Sequence, residues 1–141
     1  MRTVRFGIIG GGLMGREFAS AAARWCHLAD MDVRPELVAV CDLDPAVRSW
    51  FSERFASLRQ VTSGFRELLA NPEVDAVYIA VPHNLHASFF CEAISAGKHL
   101  MGEKPFGMDL AASRQIEACI KQHPEVFVRC SSESPFFPAV Q

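Results

Sequence analysis

A short apolar run, Val4, Phe6, Ile8 and Ile9, ends at Gly10-Gly11-Gly12-Leu13-Met14-Gly15. The apolar positions after it, Leu13, Met14, Phe18 and Ala21-Ala22, recur at helical spacing. The Gly-x-Gly-x-x-Gly therefore sits on a strand-to-helix turn. Such a turn lets backbone N–H groups and the positive end of a helix approach a pyrophosphate. A turn that merely needs positive φ explains any one of these glycines, but not three at this spacing. Gly10 is expected to make the tight turn, Gly12 to allow close approach of a dinucleotide, and Gly15 to pack the helix on the sheet. Leu13 and Met14 are expected to supply amides of the helix N-terminus.

The rest of the chain repeats the alternation, which points to a doubly wound parallel α/β sheet of about six strands with helices on both faces. Strands are predicted near Val4–Gly10, Leu37–Cys41, Gln60–Thr62, Ala76–Ala80, His99–Gly102 and Val126–Cys130. Helices are predicted near Leu13–Cys26, Pro45–Phe55, Phe65–Ala70, Leu85–Ala96 and Leu110–Lys121. Asp44 reads as an N-cap before Pro45, and Ser63, Asn84 and Asp109 as caps of their helices. Gly97 reads as a C′ glycine, Asn71-Pro72 as the stop of the third helix, and Asp30 to Pro35 as a polar loop. With 141 residues, no repeat and no linker, residues 1–141 read as one dinucleotide-binding domain. Nothing remains for a substrate domain.

Bulk composition narrows the partners. Half of the residues are hydrophobic and 21% are charged, ordinary for a globular domain. A net charge of −2 without a basic stretch argues against nucleic acid and anionic membranes. The longest apolar runs, such as 76–81, are strand-length, and the N-terminus reads as strand rather than signal peptide. Cys26, Cys41, Cys91, Cys119 and Cys130 are odd in number and show no Cys-x-x-Cys spacing. They read as reduced core or helix-face residues of a cytoplasmic protein.

Besides the glycine turn, three places could carry chemistry. Asp42 ends the second strand, where a carboxylate can accept both hydroxyls of an adenosine ribose and repel a 2′-phosphate, favouring NAD over NADP. Asp44 suits the capping role better, which would leave Asp42 free, and Arg48 reads as a solvated helix-face residue. Val81-Pro82-His83-Asn84-Leu85-His86 follows the fourth strand. Its two histidines invite a metal reading, but no third ligand is evident at sensible spacing. By residue type, His83 reads as a loop residue and His86 as a first-turn helix residue. Glu103-Lys104-Pro105 follows the fifth strand on the same edge. Lys104 beside a nicotinamide could exchange a proton with a substrate hydroxyl, whereas a bare surface Glu-Lys pair would be worth under ~1 kcal/mol.

The combination Gly10-x-Gly12-x-x-Gly15, Asp42, Pro82-x-x-x-His86, Gly97-Lys98-His99 and Glu103-Lys104-Pro105 resembles the glucose–fructose oxidoreductase / inositol dehydrogenase / rhizopine-catabolism (Gfo/Idh/MocA) family. The likeness spans essentially the whole chain, and Ala96 to Pro105 is its most specific stretch. It implies a two-domain NAD(P)-dependent oxidoreductase acting on small sugars and polyols. Lys104 would be the catalytic lysine, Glu103 and Pro105 would shape the nicotinamide pocket, and Pro82 and His86 would line the cofactor cleft. His83, standing where many members carry Asn, is carried as a cofactor contact. The resemblance also implies a cis Lys104–Pro105 peptide and a homo-oligomeric full-length enzyme.

Two departures or gaps follow. Pro135 stands where many members have Arg, and the family's second domain is not in this chain. Phe136 and Phe137 are expected to face an absent partner, and the fragment to bind cofactor without turning over. The rival readings are a non-catalytic NAD(H)-binding sensor or assembly module and, further off, an S-adenosylmethionine methyltransferase.

Overall fold

The computed structural model describes residues 1–132; Pro135, Phe136 and Phe137 lie outside the described residues. Six parallel strands form one sheet in the order β3-β2-β1-β4-β5-β6. They are β1 (Arg2–Ile9), β2 (Val33–Cys41), β3 (Gln60–Thr62), β4 (Ala76–Ile79), β5 (His99–Glu103) and β6 (Val128–Ser131). The connecting helices are α1 (Leu13–Ala23), α2 (Pro45–Ser52), α3 (Phe65–Leu69), α4 (His86–Ser95) and α5 (Leu110–Gln122). Single 3-10 turns, Trp25–His27 and His83–Leu85, follow α1 and precede α4.

Parallel strands buried on both faces need apolar side chains on both, and Val38 to Cys41 and Ala76 to Ile79 are buried throughout. One face packs Ile8, Val40 and Tyr78 under Phe18 of α1 and Phe51 of α2. The other packs Ile9, Val77 and Ile79 under Leu68 of α3, Phe90 and Ile94 of α4, and Ile116 of α5. Helices thus cover both faces, as the alternation predicts. Among the described residues no helix is long and apolar enough to cross a membrane.

Register sets the working edge. Ile9 pairs with Cys41 on one side and with Ile79 on the other, and Ile79 pairs with Gly102. The residues immediately after these positions are Gly10, Asp42, Ala80 and Glu103. Four strands therefore end level and deliver their next residues to a single line.

Several local expectations need correction. β2 begins at Val33, so Val33 to Pro35 are strand rather than loop. Pro35 is tolerated because β3 pairs only with Ala39 to Cys41, leaving β2 an edge strand at that level. Gly64, not Ser63, caps α3, and the 3-10 turn displaces Asn84 from the start of α4. Asp44 and Asp109 do cap, accepting from Ala46 N at 2.8 Å and Ala112 N at 2.7 Å. Gly97 closes α4 at φ +71°.

The cysteine reading is corrected too. Cys91 of α4 and Cys119 of α5 form a disulfide, with Cα atoms 5.7 Å apart, while Cys26, Cys41 and Cys130 are free thiols. Spacing rules see only neighbours in sequence. Here two adjacent helices on one face bring together residues 28 apart.

Candidate functional site

The glycine turn lies between the ends of β2 and β4. Gly10 N–H donates to Cys41 O, and Ala80 N–H donates to Ile9 O, both at 2.9 Å. Gly10 has φ +92°, and a Cβ there would collide with the Ala80 carbonyl oxygen. Gly15 touches the same turn, since its Cβ would strike the Gly10 carbonyl oxygen. Gly12 differs: nothing lies within 4 Å of where its Cβ would stand. The three glycines thus divide into a tight turn at Gly10, an open position at Gly12 and close packing at Gly15.

Leu13 and Met14 open α1 and are exposed, at 74% and 40%. No side chain caps α1 and no acid sits in its first turn. Among the described residues no side chain takes the first N–H groups of α1, which face outward at the positive end of the helix.

Asp42 stands beside this turn, but it is not free. Its Oδ2 accepts the Gly11 N–H at 2.7 Å and its Oδ1 accepts the Asp44 N–H at 2.9 Å. The carboxylate ties the β1–α1 turn to the β2–α2 turn. An ionised carboxylate has about four acceptor positions, so two hydrogen bonds leave capacity for ligand hydroxyls. Arg48 is also not a solvated face residue. Its Nη1 folds back to the carbonyls of Asp42 and Leu43, at 2.7 and 3.0 Å, because the end of β2 leaves those acceptors unpaired.

A groove of about 360 Å³ runs here, lined by Gly10, Gly12, Asp42, Leu43, Pro82 and Phe89, among others. Phe65 and Phe89, both in its wall, stack with centroids 4.1 Å apart. These aromatics escaped the sequence reading because nothing in their local pattern separates a groove wall from ordinary core. Cys41 also lines the groove, and burial pushes its thiol up to about 11.

The Val81–His86 segment splits in function. Pro82 borders the groove, and His83 is exposed on the 3-10 turn. His86 is fully buried and lines neither cavity of this edge. Its Nδ1 lies 2.7 Å from Pro105 O, its Nε2 3.0 Å from Val81 O, and its ring stacks on Phe90. It pins the loop after β4 to the loop after β5. Among the described residues no three His, Cys, Asp or Glu side chains are grouped for a metal ion.

At the end of β5 the acid and the amine separate. Glu103 is 6% exposed and accepts the Tyr78 O–H at 2.5 Å and the Lys104 N–H at 3.1 Å. Burial first, then the Glu103 carboxylate, pushes the Tyr78 phenol well above its ordinary range. Lys104 is exposed, and no described side chain pairs with its ammonium. The surface Glu–Lys pair is therefore not formed. The Lys104–Pro105 peptide is cis. Met14, Tyr78, Glu103 and Lys104 line a second cavity of about 650 Å³ on the α1 side. Met14 thus borders the lysine cavity, and Gly12 the groove beside Asp42.

Comparison with known proteins agrees with this geometry. The model of an oxidoreductase family with an NAD-binding Rossmann fold, GFO_IDH_MocA, matches residues 4–130. Inositol 2-dehydrogenase of Acidothermus cellulolyticus is 33% identical over 98% of this chain, which covers 38% of that protein. A scyllo-inositol dehydrogenase from Lactobacillus casei, solved with NAD(H) and scyllo-inositol, superposes with a TM-score of 0.85 at 26% identity. That match covers 98% of this chain and 38% of the other. A 3-ketoreductase from Actinomadura kijaniata, solved with TDP-benzene and NADP, gives 0.80 at 25% identity, over 98% of this chain and 41% of that one. This chain thus spans about two fifths of the length of these relatives. With the glycine turn, the level strand ends and the Glu103-Lys104-Pro105 corner in place, residues 4–130 make the chain a member of the Gfo/Idh/MocA oxidoreductase family, as its NAD-binding Rossmann domain.

Proposed function

We propose that this domain holds NAD(H) for a dehydrogenase acting on a hydroxyl of a small sugar- or cyclitol-like polyol. The observation that carries the reading is the shared edge. A helix start at Gly12 to Gly15 and a Lys104 ammonium, neither met by another side chain among the described residues, lie on one line of strand ends. The pyrophosphate would lie over Gly12 and the first amides of α1, contributed by Leu13, Met14 and Gly15. Asp42 would take the adenosine ribose hydroxyls, with Pro82 and His83 along the groove. Lys104 would accept or return the proton of the substrate hydroxyl, and Glu103 would shape the pocket beside it. When bound, the nicotinamide supplies the hydride chemistry. The remaining substrate contacts would come from a further domain like the one the longer relatives have room for. This chain by itself is expected to bind cofactor without turning over a polyol.

Asp42 favours NAD over NADP. Its carboxylate is held by two backbone N–H groups at the place a 2′-phosphate would occupy, and like charges repel there. Fluorescence titration of the chain with NADH and NADPH tests this. The expected result is NADH binding at least about tenfold tighter, or ~1.4 kcal/mol, with the preference lost in Asp42→Ala. Equal affinity for the two would overturn the cofactor assignment, and absence of any binding would overturn the reading itself.

A further inference from the structure

Adjacent acid and amine at an exposed strand end ordinarily drift into a weak pair across water. Glu103 and Lys104 form no such pair among the described residues, and the Glu103 carboxylate is engaged one strand away. Tyr78 of β4 pairs in register with Met101 of β5, and Glu103 is the next residue of β5 on the same face. The phenol therefore reaches along the sheet to the Glu103 carboxylate, at 2.5 Å. Tyr78 cannot easily shift, since it is 2% exposed and its ring stacks flat on Phe18, with centroids 4.3 Å apart and planes 5° off parallel. The second carboxylate oxygen takes the Lys104 backbone N–H at 3.1 Å, so each oxygen already accepts one hydrogen bond, and no ion pair joins Glu103 to the Lys104 ammonium among the described residues.

We propose that Tyr78 is a positioning residue for Lys104. Its hydroxyl keeps the Glu103 carboxylate turned into the sheet, leaving the neighbouring ammonium unpaired and open to a ligand hydroxyl. The proposal rests on the reading of Lys104 as the reactive amine, but it concerns only what holds Glu103. Removing the hydroxyl takes away the donor that fixes the carboxylate, and the adjacent Lys104 then offers it a charge. Arg129 lines the same cavity and is the competing cation.

The test is competitive trace acetylation of the whole chain with acetic anhydride at mildly alkaline pH, read by mass spectrometry. Lys121 serves as internal reference, because it is held by Glu117 on α5, far from this edge in sequence. Tyr78→Phe keeps the stacked ring and removes only the hydroxyl. The Lys104:Lys121 labelling ratio is expected to fall by about threefold, the strength of a partly exposed ion pair. The double variant Tyr78→Phe, Glu103→Gln restores it. An unchanged ratio in Tyr78→Phe, as when the carboxylate turns to Arg129 instead, overturns the proposal. So does a fall that the double variant fails to restore, which is what general loosening would produce.

Should Tyr78→Phe fold poorly, Glu103→Gln alone decides. A carboxylate already turned away leaves Lys104 labelling at its wild-type value when neutralised, and a rise overturns the proposal. NADH titration of the wild-type chain judges the parent reading separately, since it does not depend on the labelling ratio.

Discussion

The two ends of the candidate site are built from different material. At the glycine turn the ligand-facing surface is backbone: Gly10 in the left-handed region, Gly12 open, and Gly15 against the Gly10 carbonyl. At the lysine end the Lys104–Pro105 peptide is cis, and around it the geometry is held by buried side chains. Tyr78 holds Glu103, His86 holds the carbonyls of Val81 and Pro105, and Phe90 backs the His86 ring. A backbone device fails when a side chain is added. A side-chain device fails when a donor or acceptor is removed, and it can be partly rebuilt by an isostere.

Gly10→Ala attacks the first device and carries the largest expected effect. The substitution forces a left-handed φ on alanine and drives its Cβ into the Ala80 carbonyl, which only backbone movement relieves. A loss of about 3 kcal/mol or more is expected, read as a drop in the thermal midpoint, together with loss of NADH fluorescence enhancement. A variant that melts like wild type and still binds NADH would mean the turn is not a backbone device.

Reduction of Cys91–Cys119 comes next, and it probes a region outside both ends. The bridge closes a loop of 28 residues between α4 and α5, worth about 3 kcal/mol through the entropy of the unfolded chain. Thiol titration of the unfolded, non-reduced chain should find the free cysteines alone, and reductant should lower the thermal midpoint. NADH affinity should hardly change, because the bridge lies on the helix layer and away from the strand ends. Five titratable thiols before reduction would remove the bridge from the account.

His86→Leu attacks the second device. It fills the same buried volume but takes the imidazole N–H from between the Val81 and Pro105 carbonyls, leaving the one that accepts it without that donor, at a cost of about 2 kcal/mol. His86→Asn and His86→Gln each keep one amide donor and should recover part of the loss. Equal melting of the Leu, Asn and Gln variants would reduce His86 to a packing residue. It would also erase the contrast between the two ends.

That contrast explains what could be read from the chain and what could not. The turn was legible because glycine is required by local backbone geometry, and local geometry leaves a local pattern. The doubly wound parallel sheet of about six strands follows from alternation, whereas the strand order and the level strand ends come from the pairing. The family resemblance implies a cofactor-cleft role for His86, whereas in the fold its ring lies between the carbonyls of residues 81 and 105. Glu103 and Lys104 are neighbours in sequence, but the partner of the Glu103 carboxylate is Tyr78, 25 positions away. The Cys91–Cys119 bridge likewise joins residues that only helix packing makes neighbours. Asp42 lies between these cases: its position was legible, but its two backbone hydrogen bonds needed the folded turn.

The smallest expected effect lies at the opposite edge of the sheet and serves as the control for both ends. Asp75, just before β4, accepts from Arg5 N, Nε and Nη2 at 2.8, 3.0 and 2.7 Å, and these bonds hold its carboxyl below the ordinary aspartate range. A carboxyl with a lowered folded pKa binds its proton more weakly than the unfolded chain does. Its stabilising contribution is therefore complete above the ordinary aspartate value of about 4, and is lost as pH falls from there through the lowered folded value. Acid unfolding of the wild-type chain should steepen in that window, and Asp75→Asn should flatten it. The pair is one-third exposed, so solvent screens it and salt should weaken the effect. NADH affinity at neutral pH should be the same in both proteins. If Asp75→Asn loses NADH affinity as well, the amino edge is coupled to the strand ends, and the two devices at the carboxyl edge are not independent of the frame that carries them.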